Sequence, residues 1–490
     1  MLPEAALGFD VGTTSVKAGL LWVGVDRPVE MARRPYGTQR PSAGWSQQEP
    51  GAWVAAMAAC WTELHERVGP VRLLSVGICS QVNTHVIVDA SLAPVHPAIT
   101  WQDIRSAAEA AELDARIAGR RTELWGGPFT VAASFSLARA AWLARHEPAA
   151  WSAARWIMSP KDFCVATLSG EVVTDTISPV GLVGPDGRYL DGVVDLVPGI
   201  ERLLPPLRRF DEPAGTILEG NPVGLPANVT VAVGTMDAWG NVYGSGVVRS
   251  GRAMEVAGTS EILGVLSDGA IPTQGVISFA PVDGRHLHAA PTQSGGDALE
   301  WAARCFSSSV PELLAHAAEA RQDRQPIIFL PHLAGERAPV WNADARGVFV
   351  GLTTSTELRH LAAAVLEGVA FSARHALGEC EKAAGHPADE IRLSGGGARS
   401  ELWNQVKASA HGRPLLALAT LDSAVLGATL MGIVAAGVED DLVSAAERHV
   451  SVAGVVDPEP GETARLDDLY GAYRDAYEAL VPVFSALARR

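Results

Sequence analysis

What the sequence lacks narrows it first. The five cysteines, Cys60, Cys79, Cys164, Cys305 and Cys380, are scattered, odd in number and never arranged as Cys-x-x-Cys. That spacing excludes a zinc cage or a disulfide frame, so reduced, mostly buried thiols of a cytoplasmic protein are expected. No apolar run approaches bilayer length without a charge or a glycine, so no membrane span is expected. Pro3 and Glu4 interrupt the N-terminus where a secretory signal would be basic and then apolar. No dense Lys/Arg run is present and the formal net charge is −16, which argues against a surface that tracks nucleic-acid phosphates. A Gly-x-x-x-x-Gly-Lys-Ser/Thr loop is also missing, and with it the P-loop enzymes.

What remains is a soluble α/β pattern, and 490 residues are too many for one ordinary core, so two domains are expected. The chain is organised around Asn228–Gly246. Val229 to Val233 reads as a buried strand that stops at Gly234, and Asp237 follows before a small-residue helical segment. Open α/β sheets carry their chemistry on such strand ends. The alternative is an Asp that merely caps a helix.

Two stretches on either side shift the balance. Ala6–Leu21 has alternating apolar strands around Gly12-Thr13-Thr14-Ser15, with Asp10 at the end of the first strand. Such a turn offers backbone N–H and hydroxyl donors to a polyphosphate, and a carboxylate suits Mg²⁺; a plain hairpin is the competing reading. Arg252–Val265 repeats the pattern around Gly258-Thr259-Ser260, which suggests two similar halves. A carboxylate beside two such turns fits phosphoryl transfer better than capping. A third glycine stretch, Gly395-Gly396-Gly397-Ala398, runs from a strand into a helix at Glu401–Ala410, where a nucleotide can lie against backbone.

In the first half, Gln81-Val82-Asn83 lies in a polar run between apolar strands, and Trp101, Asp103 and Arg105 follow another strand end. Polar side chains there suit a ligand better than packing. Leu137–His146 and Trp151–Leu168 are expected as helices, with Pro160-Lys161-Asp162 opening or capping the second, and Asp175-Thr176 as turn chemistry. Ser423–Gly437 is expected as a small-residue helix in tight packing. The apolar stripe from Leu466 to Phe484 on the terminal helix reads as core, with a homodimer face as the alternative.

In this order the stretches resemble the FGGY carbohydrate kinases, and the likeness spans almost the whole chain. Gly8–Lys17 is similar to the family's first phosphate motif, Gly258-Thr259-Ser260 to the second, Gly395–Ser400 to the adenosine motif, Gly234–Gly240 to the segment with the catalytic Asp, and Leu330–Gly351 to the long C-terminal signature. Trp101-x-Asp103-x-Arg105 and Pro160-Lys161-Asp162 most resemble the xylulokinase branch.

The resemblance implies an α/β fold of two ribonuclease H-like domains with a catalytic cleft between them, expected at residues 1–247 and 248–490. It implies ATP and Mg²⁺, with Asp237 as the base toward the sugar hydroxyl and Asp10 supporting the metal. Nucleotide contacts are expected from Gly12, Thr13, Thr14, Ser15, Lys17, Gly258, Thr259, Gly296, Glu300, Gly396, Gly397, Ala398 and Glu401. The substrate is expected at Gln81, Val82, Asn83, Trp101, Asp103 and Asp237. It would be a pentulose such as xylulose, with a polyol or another ketose as the alternative. Three departures bear on this. Val82-Asn83 replaces the Arg-Glu of glycerol kinases and the Met-His usual in xylulokinases, and Ala238 stands where relatives often carry Asn or Gln. An actin-like, ATP-driven conformational protein is the reading of a different class; it would need no carboxylate beside the second turn.

Overall fold

The computed structural model describes residues 2–125 and 130–489. The chain divides into two compact units, one running up to Gly244 together with Ser423–His449, the other Ser245–Asp422 and the chain from Val450 on. Each unit is built on its own mixed sheet.

In the first unit, the alternating Ala6–Leu21 stretch forms β1 (Glu4–Val11) and β2 (Ser15–Trp22), antiparallel, with β3 (Glu30–Pro35) antiparallel beyond them. On its other side β1 pairs in parallel with β4 (Arg72–Ser80). The sheet continues through β4 to β6 (Thr230–Ala232) and ends at β5 (Pro213–Thr216), antiparallel at the edge. After Gly234 the chain returns to β4 as the short strand Thr235–Met236. One face is apolar, with Leu7, Phe9, Val11, Val76 and Ile78 fully buried, and the other carries small residues, Ala6, Gly8, Ser75 and Gly77.

The second unit repeats the order. β7 (Arg252–Ala257), β8 (Glu261–Ser267) and β9 (His286–Pro291) are antiparallel neighbours. β10 (Glu390–Ser394) and β11 (Leu415–Leu418) then run parallel to β7, and β12 (Val452–Val456) closes the edge antiparallel. The two similar halves expected from the repeated hairpin are therefore a repeated sheet topology.

The helix Ser423–Ala435 departs from a division into two contiguous halves at residue 247. It lies in the second half of the sequence, yet it packs in the first unit against β1, β4 and the helix Asp237–Gly244. It is apolar all round, so it must be enclosed on every side. Its small residues let backbones touch: a Cβ on Gly77 would stand 1.7 Å from the Ala428 carbonyl oxygen.

One local expectation is also corrected. Trp151–Leu168 is not one helix: Pro148–Ala153 and Pro160–Ser169 are helical, and Trp156–Met158 between them is a strand paired with His85–Val88. Pro160 disfavours helix at the residue before it, and Ser159 opens the second helix with a capping box to Asp162. Asp175 does the turn chemistry expected of it, accepting from the Ile177 and Ser178 N–H groups at 3.1 and 3.0 Å, but from within the core. It is fully buried and 2.9 Å from Lys161 Nζ, and it accepts from Thr235 Oγ1 at 2.7 Å.

The terminal helix Pro460–Ala488 buries Leu466, Tyr473, Tyr477 and Phe484, the core reading of the apolar stripe. Cys60, Cys79, Cys164 and Cys380 are buried free thiols, and Cys305 is exposed. Among the described residues no helix is long and apolar enough to cross a membrane.

Candidate active site

In the first unit the chemistry gathers at the ends of three parallel strands. Asp10 on β1 stands opposite Cys79 on β4, and Thr235 stands opposite the same Cys79 on its other side, so Asp237 leaves the sheet with one strand, β4, between it and the strand of Asp10. Cys79 Sγ lies 3.8 Å from Asp10 Oδ1. Burial raises the Cys79 thiol well above its ordinary value, and the charges of Asp10 and Asp237 raise it further while Lys17 opposes them. Asp10 is itself buried, Asp237 is half-buried at the first residue of its helix, and Lys17 faces Asp10 across the β1–β2 ladder.

The Gly12–Ser15 turn is tied down from below. Tyr36 Oη donates to the Gly12 carbonyl, and Gln48 Nε2 donates to the Thr13 carbonyl at 2.7 Å. Thr14 is exposed and Thr13 half-buried, as a binding turn needs. Ser15 is different: it is 3% exposed, and its hydroxyl accepts from Arg33 Nε at 2.9 Å. As the first residue of β2 it turns inward, so its side chain braces the sheet instead of facing a phosphate.

The polar loop after β4 joins this turn. Gln81 donates its backbone N–H to the Val11 carbonyl at 3.0 Å and its side chain to Gln48 Oε1 at 2.9 Å. Trp101 Nε1 donates to Thr13 Oγ1 at 2.9 Å, which links the substrate-side loops to the phosphate turn. Asn83 adopts φ 53°, a left-handed conformation that Asn tolerates better than most residues. Two buried acceptors in this loop have no partner, Gln81 Oε1 and Asn83 Oδ1. Buried polar atoms are nearly always satisfied, so two orphans in one loop are what a hydroxyl-rich ligand would pair.

Asp103 does not offer itself to a ligand. It is 1% exposed; Arg105 takes Oδ1 at 2.9 Å and Oδ2 at 2.8 Å, and Ser46 N–H takes Oδ2 at 2.5 Å. The carboxylate braces the loop under Trp101. Reading the sequence missed Arg139, a fully buried guanidinium that donates to the carbonyls of Asn83 at 2.5 Å and Ile99 at 2.8 Å, to the Thr100 carbonyl, and to His85 Nδ1 at 2.8 Å. It fastens the Asn83 loop to the Trp101 loop. Its only sequence signal was an arginine at a core-facing position of the helix Ser136–His146.

The second unit holds the other expected residues together. The Gly258–Ser260 turn closes with Gly258 N–H on the Ser260 carbonyl at 3.0 Å. The helix Gly296–Cys305 starts against it: Gly296 N–H donates to Gly258 O at 2.9 Å and Asp297 N–H to Thr259 O at 3.1 Å. From the end of the neighbouring β10, Gly395 crosses the Ala257 backbone at φ 87°, where a Cβ would stand 2.4 Å from the Ala257 carbonyl oxygen. Gly396 then faces open space, and Asn404 Nδ2 fixes the loop through the Ala398 carbonyl at 2.7 Å. An open, backbone-lined glycine loop beside a second N–H-rich turn has the room a nucleotide needs. Glu300 and Glu401 are exposed on their helices, and Ala398 is buried. The Leu330–Gly351 loop supports the turn from behind. Glu336 accepts from Ser294 Oγ at 2.8 Å and from Gln293 N–H, and Arg337 Nη2 reaches the Thr292 carbonyl at 2.5 Å and Ser260 Oγ at 3.3 Å.

Two strand-end carboxylates in one unit, and a second turn with an open glycine loop in the other, define a sugar-kinase arrangement. The family comparison agrees: residues 5–244 match the N-terminal domain and residues 253–436 the C-terminal domain of the FGGY family of carbohydrate kinases, and this chain belongs to that family. It is 30% identical to a xylulose kinase of Escherichia coli over 98% of this chain and all of the relative. It is 26% identical to a xylulose kinase of Lactococcus lactis, covering 96% of each, and 26% identical to a gluconokinase of Bacillus subtilis, covering 99% and 95%. Among solved structures it is similar to one titled a xyloylose kinase from Brucella ovis, with TM-score 0.86, 29% identity, and coverage of 98% and 100%. A gluconate kinase from Lactobacillus acidophilus shares the fold at TM-score 0.88 and 22% identity, covering 99% of this chain and 100% of that one. Family membership makes the chain an ATP-dependent carbohydrate kinase and sets aside the actin-like alternative.

Proposed function

We propose that the chain transfers the γ-phosphoryl group of ATP to a terminal hydroxyl of a ketopentose, xylulose first, as a cytoplasmic enzyme. The observation that carries this is the pairing of Asp10 and Asp237 across Cys79, beside a loop with two unpaired buried acceptors. Asp237 takes the proton of the attacking hydroxyl, and Gln81 and Asn83 accept hydroxyl hydrogens of the sugar, with Val82 as an apolar wall and Trp101 beside them. In the first unit Thr13 and Thr14 offer donors to phosphate; within the second, Thr259 does the same and Gly396 and Gly397 leave room for a base. Mg²⁺ supplies charge neutralisation on the phosphates when bound. Among the described residues no three His, Cys, Asp or Glu side chains converge as a metal cage, which suits an ion held by Asp10 with phosphate and water oxygens.

A coupled ADP-release assay over pentuloses, tetritols, pentitols, hexuloses, gluconate and glycerol tests this. Xylulose or another pentulose should give the highest kcat/KM, and glycerol should be poor because Val82 cannot donate or accept. A best substrate among the polyols, or gluconate, would replace the pentulose reading. ADP release that no sugar stimulates would sink the kinase reading for this site.

A further inference from the structure

Beneath the second phosphate turn lies a buried charge network that the mechanism above does not use. Glu255 sits on β7 and Glu261 opens β8, so they flank the Gly258–Ser260 turn on its two strands. Both are fully buried, and Lys407 Nζ, also fully buried, bonds to both. His411 Nε2 lies 2.9 Å from the second oxygen of Glu255. Lys407 and His411 are one turn apart on the helix Glu401–His411, which begins where the Gly395–Ser400 loop ends. One turn before Lys407, Trp403 puts its ring 4.8 Å from Lys407 Nζ and 3.1 Å from where a Cβ of Gly397 would stand.

Apolar side chains of similar volume would hold a hairpin against a helix as well or better, because burying charges costs several kcal/mol that their attraction only partly offsets. What the ionic version adds is register: one ammonium fixes both strands of the turn to the helix that carries the glycine loop. We propose that Lys407 is a positioning residue for the nucleotide, locking the Gly258–Ser260 turn and the Gly395–Ala398 loop in one geometry through Glu255 and Glu261. This rests on the reading of those two segments as the nucleotide site.

The network also holds a proton near neutrality. Burial pushes Glu255 upward, but Lys407 and His411 overcome it and bring its carboxyl down to about 2. Burial raises Glu261 to about 7, helped by the charges of Glu255 and Glu336 and opposed by Lys407. Glu261 thus faces Lys407 from the helix, Glu255 from β7 and Glu336 from the Leu330–Gly351 loop, with His411 behind Glu255. Its folded-state value lies above the ordinary carboxylate range. The stabilisation is therefore complete at acid pH and is lost as pH rises through about 7, when a second carboxylate charge is left on one ammonium.

The test compares the full-length wild type with Lys407→Met, Lys407→Arg and Glu261→Gln. ADP affinity by calorimetry, KM for ATP, KM for the sugar and thermal unfolding are measured at about pH 6 and pH 8. Loss of two charge-assisted hydrogen bonds in Lys407→Met should weaken ADP and raise KM for ATP about tenfold or more, with the sugar KM within about twofold. Lys407→Arg should recover part of that loss. In Glu261→Gln the fall in ADP affinity between the two pH values should disappear. A folded Lys407→Met with unchanged nucleotide constants, or with sugar and nucleotide constants rising in parallel, overturns the proposal. Should Lys407→Met not fold, Glu261→Gln decides, and a pH dependence equal to wild type overturns it. A wild type that does not bind ADP sinks instead the nucleotide reading on which the proposal rests.

Discussion

Asp237→Asn is expected to lower kcat by about 10²–10⁴ with the true sugar, the range lost with a general base. The substitution keeps size and shape at the first residue of the helix Asp237–Gly244, so the fold is not at risk. What disappears is the carboxylate proposed to accept a proton while the hydroxyl attacks. ADP affinity should stay within about twofold, since Asp237 is proposed to meet the sugar hydroxyl and none of the segments proposed for the nucleotide includes it. Near wild-type kcat in the folded variant would remove Asp237 from the chemistry. Asp10→Asn should behave differently. Its partner in the proposed site is the metal rather than the sugar, so half-maximal activity should need about tenfold more Mg²⁺ as well as giving a lower rate. Superimposable Mg²⁺ titrations of Asp10→Asn and wild type would place Asp10 away from the metal.

What could be read from the sequence was whatever is local. The Gly12–Ser15 and Gly258–Ser260 turns, the strand that stops at Gly234 and the glycine loop at Gly395 declare themselves within a few residues, because turn chemistry and strand alternation are short-range. Their order along the chain then gave the repeated sheet. What could not be read was which distant segment each surface meets. The small residues of Ser423–Ala435 announce close packing but not a partner, and their partners are the strands with Gly8 and Gly77 in the other half of the sequence. Asp103 looked available beside Trp101, because nothing in Trp-Gln-Asp-Ile-Arg says that Arg105 folds back and closes both of its oxygens. Ser15 belonged by composition to the phosphate turn, yet the pleat turns it toward Arg33. Lys407 carries no signal of its own within its helix, and only the fold brings Glu255 and Glu261 to it, each more than a hundred residues earlier.

Arg139→Met should be the most damaging change outside the carboxylates. Burial holds this guanidinium down to about 9, and the nearest compensation is the charge of Asp103, with Arg105 opposing it. Among the described residues no carboxylate hydrogen-bonds to it; its two Nη groups donate instead to three backbone carbonyls and to His85 Nδ1, which must therefore be unprotonated. Burial first, and Arg139 second, push His85 well below the ordinary histidine range, in keeping with that acceptor role. Met fills much of the volume but donates nothing: the Asn83 and Ile99 carbonyls lose the guanidinium, while the Thr100 carbonyl keeps the Asp103 N–H at 3.0 Å, at about 1–3 kcal/mol for each group left unsatisfied. Global stability should drop by about 3 kcal/mol or more, read as a lower urea midpoint at an unchanged slope. The local consequence is sharper, because the Asn83 carbonyl anchors a residue at φ 53° whose amide oxygen awaits a partner. With that anchor gone, KM for the sugar should rise about tenfold or more, a misplacement effect of the kind orientation losses produce. Affinity for ADP should not change. Arg139→Lys is the milder companion: an ammonium keeps the charge but cannot fork to the Ile99 and Thr100 carbonyls together, so its sugar KM should fall between wild type and Met. If either variant folds with a wild-type sugar KM, Arg139 holds up the unit without shaping the substrate loop.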